Sequence, residues 1–130
     1  MPDTPPTELI VCTTCRPAGA PRELPPAGQA LLDAVRSLHA GERGAGLQVR
    51  GIACLSVCNR SCTVALQAPG KPSYLFGDLA AEAETAAQLL TCARLHAQRA
   101  DGELPRSERP PRLRSGIVAK LPPCLPAAIA

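Results

Sequence analysis

Aromatic side chains are almost absent from this chain: among its 130 residues there are one Phe, one Tyr and no Trp. The core must therefore be built from Leu, Val, Ile and the many Ala residues, so it is thinner than usual and an added staple would help to stabilise it. The shortage also argues against a protein that reads RNA or single-stranded DNA, because such proteins stack bases on aromatic rings. We expect no nucleic-acid partner.

Long apolar runs are also missing. No segment approaches the roughly 20 apolar residues that span a bilayer. The first residues, "MPDTPPTELIV", have neither the basic nor the apolar region of a signal peptide. The sequence therefore predicts a cytoplasmic protein with no membrane partner. Thiols stay reduced in that compartment, so clustered cysteines there bind metal or carry out redox chemistry more often than they form structural disulfides.

Residue combinations typical of hydrolases and nucleotide-binding enzymes are not found. The two histidines, His39 and His96, fall on predicted helix surfaces, where a lone histidine is usually solvated. The Gly-rich stretch "GERGAG" at 41–46 follows a helix and precedes a strand, which is the wrong order for a phosphate-binding loop.

What the chain does contain is cysteine: seven residues, five of them in two groups. The groups are "CTTC", with Cys12 and Cys15, and "CLSVCNRSC", with Cys54, Cys58 and Cys62. A single cysteine is usually a small buried filler. We expect this of Cys92 on a predicted helix, and we interpret Cys124 as an incidental thiol of the tail. Five thiols in two tight groups instead predict metal binding.

Hydrophobic periodicity predicts four strands and two helices. The strands are residues 8–12, 47–55, 62–69 and 73–79, and the helices are residues 27–40 and 79–99, the second with Asp78 as its N-cap. The order β-α-β-β-β-α makes the first two strands parallel neighbours and the last two a hairpin. This is a reduced α/β thioredoxin-like layout with a four-stranded mixed sheet. We expect a disordered N-terminus at 1–7, this domain at 8–100, and an extended Pro- and Arg-rich C-terminal tail at 101–130.

The two cysteine groups fall at the ends of the two parallel strands. Since the carboxyl ends of parallel neighbours lie on one edge of the sheet, both groups can converge there on a tetrathiolate metal site. "CTTC" has the CxxC spacing of a zinc knuckle. "CLSVC" and "CNRSC" have a Cx3C spacing that is less common for zinc and suits a binuclear iron–sulfur cluster better.

Two other functions use the same thiols. One is a zinc or cobalt carrier that holds and hands over its metal. The other is a thiol–disulfide enzyme based on "CTTC", whose first cysteine would need to be exposed at a helix N-terminus that lowers its pKa. Pro- and Gly-rich residues 16–26 separate "CTTC" from the first predicted helix, which argues against the enzyme.

Three stretches carry a resemblance to a known family: "VCTTCR", "CLSVCNRSCTVALQAPGKPSYLFGDL" and "DGELPRSERPPRLRSGIVAKLPP". From Val11 to Pro123 the chain resembles the DUF1636 family of metal-binding proteins. It is also similar to the thioredoxin-like [2Fe-2S] ferredoxins and to the small cluster-bearing subunit of respiratory complex I. The resemblance implies that residues 8–100 form a ferredoxin domain with one [2Fe-2S] cluster.

The resemblance also implies a set of site residues. The implied cluster ligands are Cys12, Cys15, Cys54 and Cys58, with Cys62 as an alternative ligand. Asn59 and Arg60 offer donors that could hydrogen-bond the cluster sulfurs and raise the potential. The spacing of the first pair departs from the ferredoxin pattern, in which the first two cysteines lie farther apart.

The function implied is single-electron transfer to a redox enzyme, without catalysis by the chain itself. Members of the family are often found beside cobalamin-synthesis genes, which points to cobalamin metabolism, and related proteins make a homodimer plausible. Residues 94–120 hold seven Lys and Arg against three Asp and Glu. Such a segment is either a solvated basic tail or a docking surface for an acidic redox partner.

Overall fold

The computed structural model describes residues 6–16, 19, 21, 23–40, 47–55 and 60–123. Its strands are β1 (Thr7–Cys12), β2 (Leu47–Ile52), β3 (Val64–Gln67), β4 (Ser73–Phe76) and β5 (Ile117–Leu121). Its helices are α1 (Ala27–Ala40), α2 (Ala83–Gln98) and the short α3 (Arg112–Ser115), which follows a 3-10 turn at Arg106–Glu108. None of these helices is long and apolar enough to cross a membrane.

The strands form one mixed sheet in the order β2-β1-β3-β4-β5. β1 and β2 are parallel, with Cys12 opposite Ile52 at their carboxyl ends. The other three neighbouring pairs are antiparallel. The predicted α/β thioredoxin-like layout, with its parallel first pair and its β3–β4 hairpin, is confirmed.

The sheet has five strands where the sequence predicted four. β5 lies in the segment assigned to the extended tail and pairs antiparallel with β4. Its side chains are only partly buried or exposed, so no apolar alternation marks it in the sequence. The same segment places Leu104 and Leu113 in the core. The division of the chain into an N-terminus at 1–7, a domain at 8–100 and a tail at 101–130 stays a prediction.

The core lies between one face of the sheet and the two long helices. α1 and α2 contact each other, and both contact β1, so they cover the same face. α1 has the predicted bounds and buries its apolar stripe, which includes Leu31, Leu32 and Val35. The strands meet it with fully buried side chains: Leu9, Val11, Val64, Leu66 and Phe76.

α2 begins at Ala83, later than predicted, and its N-cap residue is Glu82. The prediction of Asp78 as the N-cap is therefore wrong. Asp78 has a left-handed backbone with φ of 58°, and its N–H donates to the carbonyl of Arg60 at 2.6 Å. Leu79 exchanges two backbone hydrogen bonds with Cys62, at 3.1 and 3.2 Å. Residues 78–79 thus pair with the segment before β3, and this pairing delays the helix.

His96 is fully buried in α2, so the prediction of a solvated surface histidine is wrong. Its Nε2 donates to the carbonyl of Pro72 at 2.8 Å, because that oxygen can only accept. Its Nδ1 then accepts from Thr7 Oγ1 at 2.8 Å. Burial lowers the pKa of His96, while the Pro72 bond acts in the opposite direction and the charge of Lys71 lowers it further. The ring is therefore held neutral.

Candidate metal centre

The candidate metal centre lies where β1 and β2 end side by side. Cys12 is the last residue of β1, and Thr13 turns the chain onto the end of β2 with two bonds to the Ile52 carbonyl. The Thr13 N–H donates at 2.8 Å and its hydroxyl at 3.2 Å. Cys54 follows β2 by two residues and is exposed. The parallel pairing thus brings the "CTTC" loop and the start of the second cysteine group to one edge.

Gly28 fixes the "CTTC" loop to the first turn of α1. Its N–H donates to the carbonyl of Cys15 at 3.0 Å. A Cβ at this position would overlap the carbonyl oxygen of Cys12 and lie 3.1 Å from the amide nitrogen of Cys15. Only glycine allows this close approach. The first turn of α1 therefore contacts the "CTTC" loop, contrary to the separation that the sequence argument expected.

The contact between the helix start and the loop is made by backbone atoms. Its Gly28 amide bonds a carbonyl oxygen of the loop, whereas activation of a thiol requires donors at the sulfur. Cys12, which would be the attacking thiol, is only 2% exposed.

Three thiols of the two groups are buried together. Cys12 and Cys15 are 2% and 3% exposed, and Cys62 is fully buried. Burial, followed by the charges of Cys15 and Cys12, raises the pKa of the Cys62 thiol to about 11. Cys62 thus belongs to the same buried group as the first pair, and its environment favours the neutral thiol.

Cys12 has the opposite electrostatic behaviour. Burial acts to raise the pKa of its thiol, but hydrogen bonds to Cys15, to the backbone of Leu55 and to Thr14 outweigh burial and lower it. Its Sγ also lies 3.9 Å from the Ala53 carbonyl. The residues that flank Cys54 therefore border the Cys12 sulfur, and the pKa of this thiol lies below its ordinary value.

Thr63 was missed by the sequence analysis. It is fully buried, its Oγ1 lies 3.3 Å from Cys15 Sγ, and its carbonyl accepts the Cys12 N–H at 3.1 Å. One residue thus bonds both members of "CTTC". Its place directly after Cys62 was the available signal, but nothing in a threonine at the start of a predicted strand indicates contact with a distant cysteine.

The other predicted site residues are placed as follows. Arg60 pairs with Asp78, with Nε and Nη2 at 2.7 and 2.6 Å from Oδ2, so its bond to a cluster sulfur stays a prediction. Cys58, Asn59 and Cys124 lie outside the described residues. Cys92 is fully buried in α2, and burial raises its pKa to about 12, which confirms its prediction as a core residue.

The donor set at this edge is chemically suited to a thiophilic metal. Its described members are sulfurs, and thiolates select iron–sulfur clusters and zinc. Hydrogen bonds already hold the sulfurs of Cys12 and Cys15. Among the described residues, no three His, Cys, Asp or Glu side chains are arranged to hold a metal ion.

Comparison with known proteins assigns the family and the fold. A solved thioredoxin-like [2Fe-2S] ferredoxin from Aquifex aeolicus is similar in structure, with a TM-score of 0.58, 14% identity, and coverage of 93% of this chain and 98% of that one. At this identity the similarity concerns the fold. No curated protein sequence matches. The family model described as "Protein of unknown function (DUF1636)" matches residues 9–123. The chain therefore belongs to the DUF1636 family.

Proposed function

We propose that the chain binds one [2Fe-2S] cluster and carries single electrons to a redox enzyme. The observation that supports this best is the group of buried thiols at the carboxyl edge of β1 and β2. Cys12 and Cys15 lie there with hydrogen-bonded sulfurs, and Cys54 follows the neighbouring strand. The similarity in fold to a [2Fe-2S] ferredoxin adds to this argument.

The proposed ligands are Cys12, Cys15, Cys54 and Cys58, with Cys62 as the alternative to one of them. When bound, such a cluster accepts and releases one electron. The chain's own part is to supply thiolates and to limit access of water. Cys12 and Cys15 are buried, whereas Cys54 is exposed. Electrons would enter and leave on the Cys54 side.

A zinc or cobalt carrier is the second candidate. The CxxC spacing of Cys12 and Cys15 is that of a zinc knuckle, and the lowered pKa of Cys12 would serve zinc equally well. The two candidates differ in bound metal, in colour and in redox activity.

The partner part of the proposal concerns the basic residues of 94–120. Several already pair on the surface: Arg112 with Glu82 and Glu84, and Lys120 with Glu103 at 2.6 Å. Exposed pairs of this kind contribute only about 0–1 kcal/mol each, so the carboxylates of a partner could replace them at low cost. We propose this surface as the docking face for an acidic redox enzyme, with cobalamin metabolism as its setting. Association should weaken as salt rises.

The deciding experiment is a visible spectrum of protein purified without oxygen, with iron, acid-labile sulfide and zinc measured on the same sample. A red-brown protein with about two irons and two sulfides per chain supports the cluster. A colourless protein with about one zinc per chain, in which anaerobic reconstitution also fails, contradicts electron transfer and leaves the carrier.

Single serine substitutions then identify the ligands. We expect Cys12→Ser, Cys15→Ser, Cys54→Ser and Cys58→Ser each to reduce cluster content, and Cys62→Ser to keep it. Cys92→Ser is the matched control, because it makes the same change at a fully buried cysteine on α2. If Cys62→Ser loses the cluster while Cys58→Ser retains it, the ligand set contains Cys62 in place of Cys58.

A further inference from the structure

Thr63 is the buried residue that connects the two halves of the candidate metal centre. It lies between Cys62 and β3, and none of its surface is exposed. Its carbonyl accepts the Cys12 N–H at 3.1 Å, and its hydroxyl oxygen lies 3.3 Å from Cys15 Sγ. Cys15 Sγ is its hydrogen-bond partner among the described residues, and because a thiolate has no proton, the hydroxyl is the donor when Cys15 acts as a metal ligand.

The neighbouring threonine hydroxyl has a competing acceptor. Thr14 Oγ1 lies 3.7 Å from Cys12 Sγ, but its proton is donated to the carbonyl of Ala53. A hydroxyl has one proton, and the proton of Thr14 is shared between the Ala53 carbonyl and the Cys12 sulfur. Of the three threonine hydroxyls in or beside "CTTC", those of Thr13 and Thr14 donate to carbonyls, whereas the contact given for Thr63 is to a sulfur.

We propose that Thr63 is a positioning residue of the metal centre, whose O–H donates to the Cys15 thiolate and raises the reduction potential. This rests on the proposed function, in which Cys15 is a ligand. Reduction by an external reductant adds one electron, and so one negative charge, to the sulfur-bound centre. A hydrogen-bond donor at a ligand sulfur stabilises the reduced, more negative state more strongly than the oxidised state, and this raises the reduction potential.

The test compares Thr63→Val with Thr63→Ser in protein that carries the cluster. Valine keeps the shape and removes the proton donor, whereas serine keeps the donor. The assay is a dithionite titration in the presence of redox dyes. At an ambient potential equal to the wild-type midpoint, we expect the ratio of reduced to oxidised protein to be about tenfold lower in Thr63→Val than in wild type. That corresponds to a midpoint about 59 mV lower for a one-electron couple. We expect the serine variant to remain within about twofold of wild type.

Thr85→Val provides the matched control. Thr85 is a second fully buried threonine, on α2, and its hydroxyl has no hydrogen-bond partner within the described part of the chain. This variant should leave the ratio unchanged, because its hydroxyl does not contact a sulfur. A general effect of a buried threonine-to-valine change would appear in both variants.

The outcomes separate this inference from the proposed function. If wild-type protein binds no iron and sulfide even after reconstitution, the proposed function fails and the inference fails with it. If wild type carries the cluster and Thr63→Val has the wild-type midpoint, only the inference is overturned. If Thr63→Val loses the cluster and Thr63→Ser keeps it at the wild-type midpoint, the hydroxyl is required and the inference stands. Loss in both variants would overturn it.

Discussion

Substitution of Gly28 by alanine should disrupt the attachment of the "CTTC" loop to α1. The new Cβ would overlap the Cys12 carbonyl oxygen and lie 3.1 Å from the Cys15 amide nitrogen. Both are backbone atoms, which cannot rotate away as a flexible side chain can. Gly28 is also a buried residue of α1. The loss in the free energy of unfolding therefore arises from this overlap and from the weakened hydrogen bond between the residue 28 amide and the Cys15 carbonyl.

The magnitude follows from three contributions. Overpacking costs about 1–3 kcal/mol, and weakening of the Gly28–Cys15 hydrogen bond costs about 1 kcal/mol more. Replacement of glycine by alanine in a helix returns up to about 1 kcal/mol. We therefore expect a net loss of about 2 kcal/mol in the free energy of unfolding, measured by urea denaturation of the metal-free protein.

The control is Gly70→Ala, which tests a glycine away from the cysteines. Gly70 has φ of +74° and no atom within 4 Å of a built Cβ, so its cost is backbone strain of about 1–2 kcal/mol. Both variants should lose stability, but only Gly28→Ala should also bind less metal, since it displaces Cys12 and Cys15. If Gly28→Ala unfolds within about 0.5 kcal/mol of wild type and keeps its full metal content, the reasoning about this contact is wrong.

Two further predictions concern buried residues away from the metal centre. The pKa of His96 lies below its ordinary value of 6.5, so its contribution to stability is full above pH 6.5 and is lost as pH falls through the folded pKa. The free energy of unfolding should therefore decrease from pH 7 to pH 5 in wild type, and this decrease should be smaller in His96→Gln. If the free energy of unfolding changes equally with pH in the two proteins, His96 is not the buried neutral group that causes the decrease. Leu113 is fully buried although it lies in the predicted tail, so Leu113→Ala should cost about 2–5 kcal/mol. The exposed Leu121 is the control, and its alanine variant should change the free energy of unfolding by less than about 1 kcal/mol.

The C-terminal segment also shows why charge alone is an incomplete guide to a docking surface. The sequence gives an excess of basic residues over 94–120, yet Arg99 pairs with Glu108 of the same segment, and Arg112 bonds Glu82 and Glu84 from outside it. Because Glu108 is already counted among the acidic residues of the segment, only the Arg112 pairs reduce the excess of positive charge, and they do so through residues that the fold brings close. A test of the docking proposal should substitute Arg112 and Lys120 separately.

Local patterns in the sequence were sufficient for much of the fold. α1 was predicted with its observed bounds because an apolar stripe at helical spacing marks it, and β1 because a short β-branched apolar run marks it. The parallel pairing of β1 with β2 followed from the intervening helix. That pairing also predicted that "CTTC" and Cys54 would share one edge of the sheet.

Other features depended on contacts between residues far apart in sequence, which local patterns do not encode. β5 exists because β4 offers it a pairing edge, and α2 starts late because Leu79 pairs with Cys62. His96 is buried because Thr7 and the Pro72 carbonyl bond both ring nitrogens. The sequence by itself determined which elements form and that thiols gather at one edge. Only the tertiary structure decided that Thr63 reaches Cys15, because that contact depends on the antiparallel pairing of β1 with β3.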